Sequence, residues 1–388
     1  MAVRKKPTQK ATTGKVGLLV GTRKGAFILQ SDRTRRKWKI APGIMIGAIV
    51  HHMVLDPRDK KTILMCASTG HLGPTIFRSL DLGRTWTEAK QPPAFPKAPE
   101  GEKGRVVHHN FWLSPGHASE PNVWYVGTSP QGLFRSEDGG VTWEGVKGLN
   151  EDPNFLEWKN PDEEGNAPPG GATLHSVMID PRDARHMYLA LSGGGFFESN
   201  DKGANWHPLG KGMLSSFLPV PDAEVGHDVH LARMHPLYPD RLWQQSHEGV
   251  YRMDRPEGVW VDVGKNLPKR VSPHSYPIAV HPRNPDQAWL FPLDGGFPLG
   301  RVSPDGKPAT YTTKNAGKTW QRQEKGFPKS NGWFTVRRQA MITDTHDPVG
   351  VYLGTTGGEL WVSVNEGESW KPIALHLPEI YSVEVAEI

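Results

Sequence analysis

The stretch Ser136-Glu137-Asp138-Gly139-Gly140-Val141-Thr142-Trp143 decides how the rest of the chain is read, because it recurs. Near-copies are SLDLGRTW (Ser79 to Trp86), SNDKGANW (Ser199 to Trp206), TKNAGKTW (Thr313 to Trp320) and SVNEGESW (Ser363 to Trp370). Each follows the pattern Ser/Thr-x-Asp/Asn-x-Gly-x-x-Trp. The acidic or amide side chain can accept hydrogen bonds from N–H groups of its own turn. The glycine permits a positive φ, and the Trp opens the next strand with a large ring to bury. Such a phrase closes a β-hairpin, so each copy predicts one more sheet.

Two degenerate copies complete the series: SDRTRRKW ending at Trp38 and RMDRPEGVW ending at Trp260. The tryptophans then stand at 38, 86, 143, 206, 260, 320 and 370, between 48 and 63 residues apart. Seven units of about four short strands predict an all-β chain folded as a single seven-bladed β-propeller. Other segments repeat in phase. MVLDPRD (Met53 to Asp59), VMIDPRD (Val177 to Asp183) and IAVHPRN (Ile278 to Asn284) read as first strands, VWYVGT (Val123 to Thr128) and VYLGTT (Val351 to Thr356) as second strands. The first unit lacks a first strand, since Lys15 to Val20 already matches a second one. Ile380 to Val385 resembles Leu174 to Ile179, so the C-terminus is expected to supply the missing strand and close the ring. Closure removes an exposed sheet edge. Residues 1–14 form a basic, disordered tail in this reading, and residues 15–388 one domain.

Composition agrees with many short strands and turns: 43 glycines and 35 prolines stand beside only 36% hydrophobic residues in 388. The single cysteine, Cys66, excludes an internal disulfide. The N-terminus MAVRKKPTQKATTGK is polar, with no apolar run resembling a signal peptide, and Val16 to Val20 is far too short to span a bilayer. A cytoplasmic protein with no membrane partner is expected. The net charge of +5 is scattered and accompanies no nucleic-acid motif, so no nucleic-acid role is expected.

The repeated phrase is the Asp-box, and from about Gly14 onward the chain resembles the bacterial-neuraminidase-repeat propellers. Within them it is similar to bacterial proteins described as sialidase-like or glycosyl-hydrolase-like. GTRKGAF (Gly21 to Phe27), LHSV (Leu174 to Val177), QQSHEGVYR (Gln244 to Arg252) and PIAVHPR (Pro277 to Arg283) are the more particular segments. The resemblance implies the fold rather than an activity, since sialidases, xyloglucanases, sorting receptors and photosystem assembly factors all carry the box. No Phe/Tyr-Arg-Ile-Pro segment stands near the N-terminus, nor a recognisable set of three arginines with an acid and a nucleophilic tyrosine. No sialidase catalytic residue carries over.

In a propeller the boxes fall on one face and the longer loops on the other, where sites are usually built. Counting back 13 residues from the centre of each second strand to the start of each first strand places His51, His175, His230, Tyr276 and Gln339 at equivalent positions; a three-residue allowance for Gly116 to Glu120 adds His109, and the C-terminal strand contributes Tyr381. Four of these are histidine. His71 and His247 project from loops on the same face, Arg337 or Arg338 enters from the seventh unit, and Asp228 and His274 stand close by. Neutral imidazoles suit a divalent transition metal such as Fe, Zn, Cu or Mn. The expectation is therefore an enzyme, an oxygenase or hydrolase acting on a small molecule. His51, His109, His175 and His230 would hold the ion, and His247, Arg338, Tyr276 and Asp228 would serve substrate and catalysis. A metal-free glycoside hydrolase or lyase is the alternative, with Asp228, Glu248 or Asp294 acting beside a tyrosine or histidine. Glycosidases need two carboxyl groups, and no pair is fixed by sequence spacing. A third reading is a non-catalytic interaction propeller. Trp158, in the long loop Glu144 to Thr173, could flank a ligand. His186, His207, His346 and His376 are expected in solvent, and Cys66 in the core.

Overall fold

The computed structural model describes residues 15–71, 73–157, 173–294 and 300–387. The N-terminal tail and Trp158 lie outside them. The described residues form an all-β structure of four-stranded antiparallel meanders: five separate four-stranded sheets and one of eight strands. The eight-stranded sheet divides into two fours that meet at a single parallel bridge, Gln339 to Ser382. That partition gives seven four-stranded units, numbered here from the N-terminus. Their inner strands touch in cyclic order, Ile380–Glu387 against Ile49–Leu55, and onward through His109–Pro115, Leu174–Ile179, Val229–Met234, Ser275–Val280 and Val336–Thr343 back to Ile380–Glu387.

The ring closes as the orphan strands predict. Ile380–Glu387 pairs antiparallel with Lys15–Thr22, with Val16 opposite Glu387, Leu18 opposite Val385 and Val20 opposite Val383. Both strands bury their alternate apolar faces completely at Leu18, Val20, Ile380 and Val383. No helix among the described residues is long and apolar enough to cross a membrane.

The repeated turn joins third to fourth strands. Asp138 Oδ1 accepts from the N–H groups of Val141 and Thr142 at 3.0 and 2.9 Å, and Oδ2 accepts from Thr142 Oγ1 at 2.7 Å. Ser136 Oγ donates to Asp138 Oδ1 at 2.8 Å and accepts from Gly140 N at 2.9 Å. Gly140 has φ +90°, and a Cβ there would meet Leu64 of the preceding unit at 2.8 Å. Asp81, Asp201, Asn315 and Asn365 repeat the pattern of Ser or Thr at i−2 and backbone N–H at i+4. The tryptophans carry the seams between units. Trp143, Trp206, Trp260, Trp320 and Trp370 are buried, and the indole N–H groups of Trp260 and Trp320 donate to Leu209 O and Val263 O of the preceding unit. Trp243 and Trp289, fully buried on second strands, donate forward to Pro285 O and Glu366 O. Each such ring contributes a few kcal/mol of apolar burial, and in all of them but Trp370 the one polar atom is satisfied.

A departure from simple pairing fixes where function can sit. Near the start of every inner strand the register slips. In units 2 to 6 one extra residue is accommodated, at His51, Phe111, Ser176–Val177, His230 and Tyr276–Pro277. In unit 1 it is Tyr381, and in unit 7 four residues, Arg337 to Ala340, stand opposite Gly354 alone. Bulges of this kind bend the strand and re-aim side chains. Here they cluster on one end of the ring.

Candidate functional site

Inside that end lies a cavity of about 490 Å³, lined from units 1, 2, 3, 4, 6 and 7. The bulges supply much of the lining: His51, Phe111, Tyr276, Arg337, Arg338, Gln339 and Tyr381. His51 stacks on Tyr381 with centroids 5.2 Å apart and planes 9° from parallel, and its other neighbour is His109 at 4.5 Å. Nε2 of His51 and Nδ1 of His109 are buried with no hydrogen-bond partner. Burial, then the adjacent His109 and Arg337, push the His51 pKa down to about 3, and burial also lowers His109. Both rings are neutral at pH 7.

Asp228, His230 and His247 gather a short way off, behind Tyr276, whose ring lies 4.8 Å from His230 and under the Arg338 guanidinium. His230 Nδ1 lies 2.6 Å from Ser275 O, which fixes the proton on that nitrogen and leaves Nε2 a lone pair. That Nε2 is 3.3 Å from His247 Nδ1 and 3.4 Å from Asp228 Oδ2, and the same Oδ2 is 3.3 Å from His247 Nδ1. Such a triangle of acceptors needs a hydrogen or a cation inside it. Burial would raise the Asp228 carboxyl, but His230, the bond from His247 and the Arg338 charge outweigh it and hold the group well below the usual carboxylate range. Burial lowers the His230 pKa, and the Asp228 carboxylate beside it opposes that shift. His247 turns Nδ1 inward and remains half-buried, with Phe217 edge-on at 5.9 Å. Its other nitrogen is on the outward side of the ring. His274 packs against His230 and His247 and is anchored to His247 O at 2.9 Å.

The expected four-histidine ion site does not form. Among the described residues, Asp228, His230 and His247 are the group whose ligand atoms converge, all within 4.8 Å of one another. His175 is tied at both nitrogens, Nδ1 to Ser176 Oγ at 2.9 Å and Nε2 to Val229 O at 2.7 Å, so no lone pair is left for a metal. His109 is paired in the ladder opposite Ser129, two residues ahead of its bulge, and the residue equivalent to His51 in unit 3 is Phe111. The count from the second strand slips because it allows three residues for the longer turn between these strands, which is only one residue longer than in unit 2.

Tyr276 and Arg338 reach the cavity as expected, and Asp228 and His247 join His230 rather than the cavity wall. Glu248 holds the loop at Ser215 and Ser216, and so does not face Asp228 as a second carboxyl. His71 is exposed, Cys66 buried, and His207 and His376 are exposed as expected. His186 is not free in solvent but is held between Asp180 at 3.0 Å and Glu198 at 2.8 Å. Sequence reasoning missed Arg301, which lines the cavity from an irregular loop with φ +49° and offers no periodicity by which to find it. It also missed Phe111, since only the bulge reveals its phase.

No protein-family model matches the chain. The chain is similar to a Neosartorya fischeri protein described as "probable oligoxyloglucan-reducing end-specific xyloglucanase", at 24% identity over 351 residues, covering 82% of this chain and 38% of that protein. A xyloglucanase of a Paenibacillus species is 22% identical over 62% of this chain and 25% of its own length. Among solved structures, the GH74 xyloglucanase of Xanthomonas campestris superposes with a TM-score of 0.64 at 17% identity, over 94% of this chain and 53% of that one. The chain thus spans about half or less of the length of these xyloglucanases, and the structural likeness is one of fold.

Proposed function

We propose that this chain is a carbohydrate-directed enzyme that works by general acid–base catalysis on the bulged end of the ring. The observation that carries the reading is the Asp228–His247 contact with His230 behind it. A carboxylate held ionised orients the imidazole and stabilises it when it takes a proton, while the outward nitrogen exchanges that proton with a bound substrate. The likeness to xyloglucanases supports a glycosidic substrate over the metal-dependent small-molecule enzyme that the histidine count suggested.

The test is release of new chain ends from a panel of neutral and acidic oligosaccharides. Asp228→Asn and His247→Gln should each lower turnover by about a hundredfold or more, as loss of a positioned acid–base group does, with melting nearly unchanged. Turnover that survives both substitutions would place the chemistry elsewhere.

A second reading rests on the same triangle. Its three ligand atoms lie close enough, and His230 is oriented by Ser275 O in the manner of a metal-bound imidazole, for Asp228, His230 and His247 to hold one divalent transition ion. Bound there, the ion would supply Lewis acidity. Element analysis of protein purified without chelator decides between the readings: near-stoichiometric metal, lost in His230→Ala, favours the ion.

A further inference from the structure

The cavity holds charge that the acid–base group does not use. Three arginines line it, Arg301, Arg337 and Arg338, and no described residue of the lining is a carboxylate. Arg337 is exposed and already engaged, its Nε donating to Glu379 Oε1 at 3.1 Å. The other two differ. Arg338 is half-buried and gives one bond, to Ser192 Oγ at 3.2 Å, and its Nε is buried with no acceptor. Arg301 also has a buried Nε with no acceptor, and neither guanidinium has an ion-pair partner within 4.0 Å among the described residues. Burial disfavours the charge on Arg338 most, the Asp228 carboxylate opposes this, and the nearby Arg337 and Arg301 add to it. Two neighbouring guanidiniums partly withdrawn from water, with the Asp228 carboxylate outside the cavity lining as the opposing charge on Arg338, are costly, and an incoming anion would relieve both desolvation and mutual repulsion. The left-handed backbone at Arg301 is a further local cost, of the kind that persists where a side chain must be aimed.

The rest of the lining is of another character. His51 and His109 are neutral, with buried nitrogens still able to bond hydroxyls, and Tyr381 and Phe111 add aromatic faces. Such a wall suits a ring that presents hydroxyls at its edge and C–H groups on its face. About 490 Å³ is room for a small ligand rather than a long polymer segment.

We propose that the cavity recognises an acidic sugar, a uronate, with its carboxylate between Arg301 and Arg338 and its ring against His51, Phe111 and Tyr381. The planar fork of arginine matches a carboxylate in two parallel bonds, which sets the orientation of the sugar as well as its affinity. This rests on the carbohydrate reading above and narrows it, since the xyloglucan named for the similar proteins is not what two unpaired guanidiniums select.

The experiment is calorimetric titration of the full chain with galacturonate and glucuronate oligomers, with neutral gluco- and xylo-oligomers of equal length, and with a hexose phosphate. Acidic oligomers should bind about tenfold or more tighter than neutral ones, and weaken as salt rises. Arg301→Gln should erase most of that preference, while Arg185→Gln, which removes a charge paired with Asp183 away from the cavity, leaves it intact. Arg338→Gln, checked for native melting, should behave as Arg301→Gln. Equal affinity for neutral and acidic oligomers, or a preference that survives Arg301→Gln, overturns the proposal and leaves the carbohydrate reading standing. Tighter binding of the hexose phosphate overturns the choice of carboxylate. Binding of none of the sugars overturns both readings.

Discussion

His175 shows how a residue that looks like a ligand can be a structural neutral. It is fully buried, bonded at both nitrogens, and burial followed by the Arg338 charge pushes its pKa down to about 3. The unfolded chain would bind a proton there near pH 6.5, and the folded one does not until about 3. Between those values the unfolded state holds more protons, so stability is fully present above about pH 6.5 and falls as pH drops toward 3. On the order of 2–3 kcal/mol should be lost from this one group between pH 7 and pH 4.5. His51, also pushed to about 3, adds in the same sense. Urea midpoints across that range should therefore slope downward in acid. His175→Gln, though less stable at neutral pH, should show a visibly shallower slope. An unchanged slope would mean that His175 is already charged in the native state. The chain's histidine pattern pointed to the bulged end of the ring, where the cavity lies. Whether a given ring is ligand, acid–base group or buried strut depends on the atoms opposite each nitrogen, and those come from other units.

At the scale of elements, the repeated turn and the bulge play opposite parts. The turn is self-contained: every partner of the Asp138 carboxylate lies within four residues, so its chemistry could be read from eight letters. Asp138→Ala should cost roughly 1–2 kcal/mol through lost turn hydrogen bonds and leave the proposed turnover by the folded protein untouched. Thermal melting beside specific activity checks this, and a folded variant with reduced turnover would make the turn face functional. The bulges left no such signature. A one-residue slip in pairing is invisible in a strand whose neighbours are unknown, yet it decides that His51 and Phe111, not His51 and His109, are counterparts. Arg301 was hidden for a related reason, because an irregular loop has no phase to count.

The whole molecule depends on one long-range pairing. Ile380–Glu387 joins Lys15–Thr22 through a ladder running from Val16–Glu387 to Thr22–Ile380, with Val20, Ile380 and Val383 buried in the seam. It also places Tyr381 in the cavity, so closure and site are built by the same strand. Removing residues from Ile380 onward should expose an apolar sheet edge and open the ring, giving aggregated protein on size exclusion and loss of cooperative melting. Truncation alone could fail for trivial reasons, and a circular permutant separates them. Glu387 lies directly opposite Val16, so a short turn can link it to Lys15, with new termini placed just before Ile380. That chain keeps every strand pair while breaking the connection at Glu379. If the ring requires the pairing and not the order of the chain, the permutant should be monomeric and melt within a few degrees of the parent. A stable, monomeric truncation, or a permutant that aggregates as the truncation does, would show that the C-terminal strand is not what closes the ring.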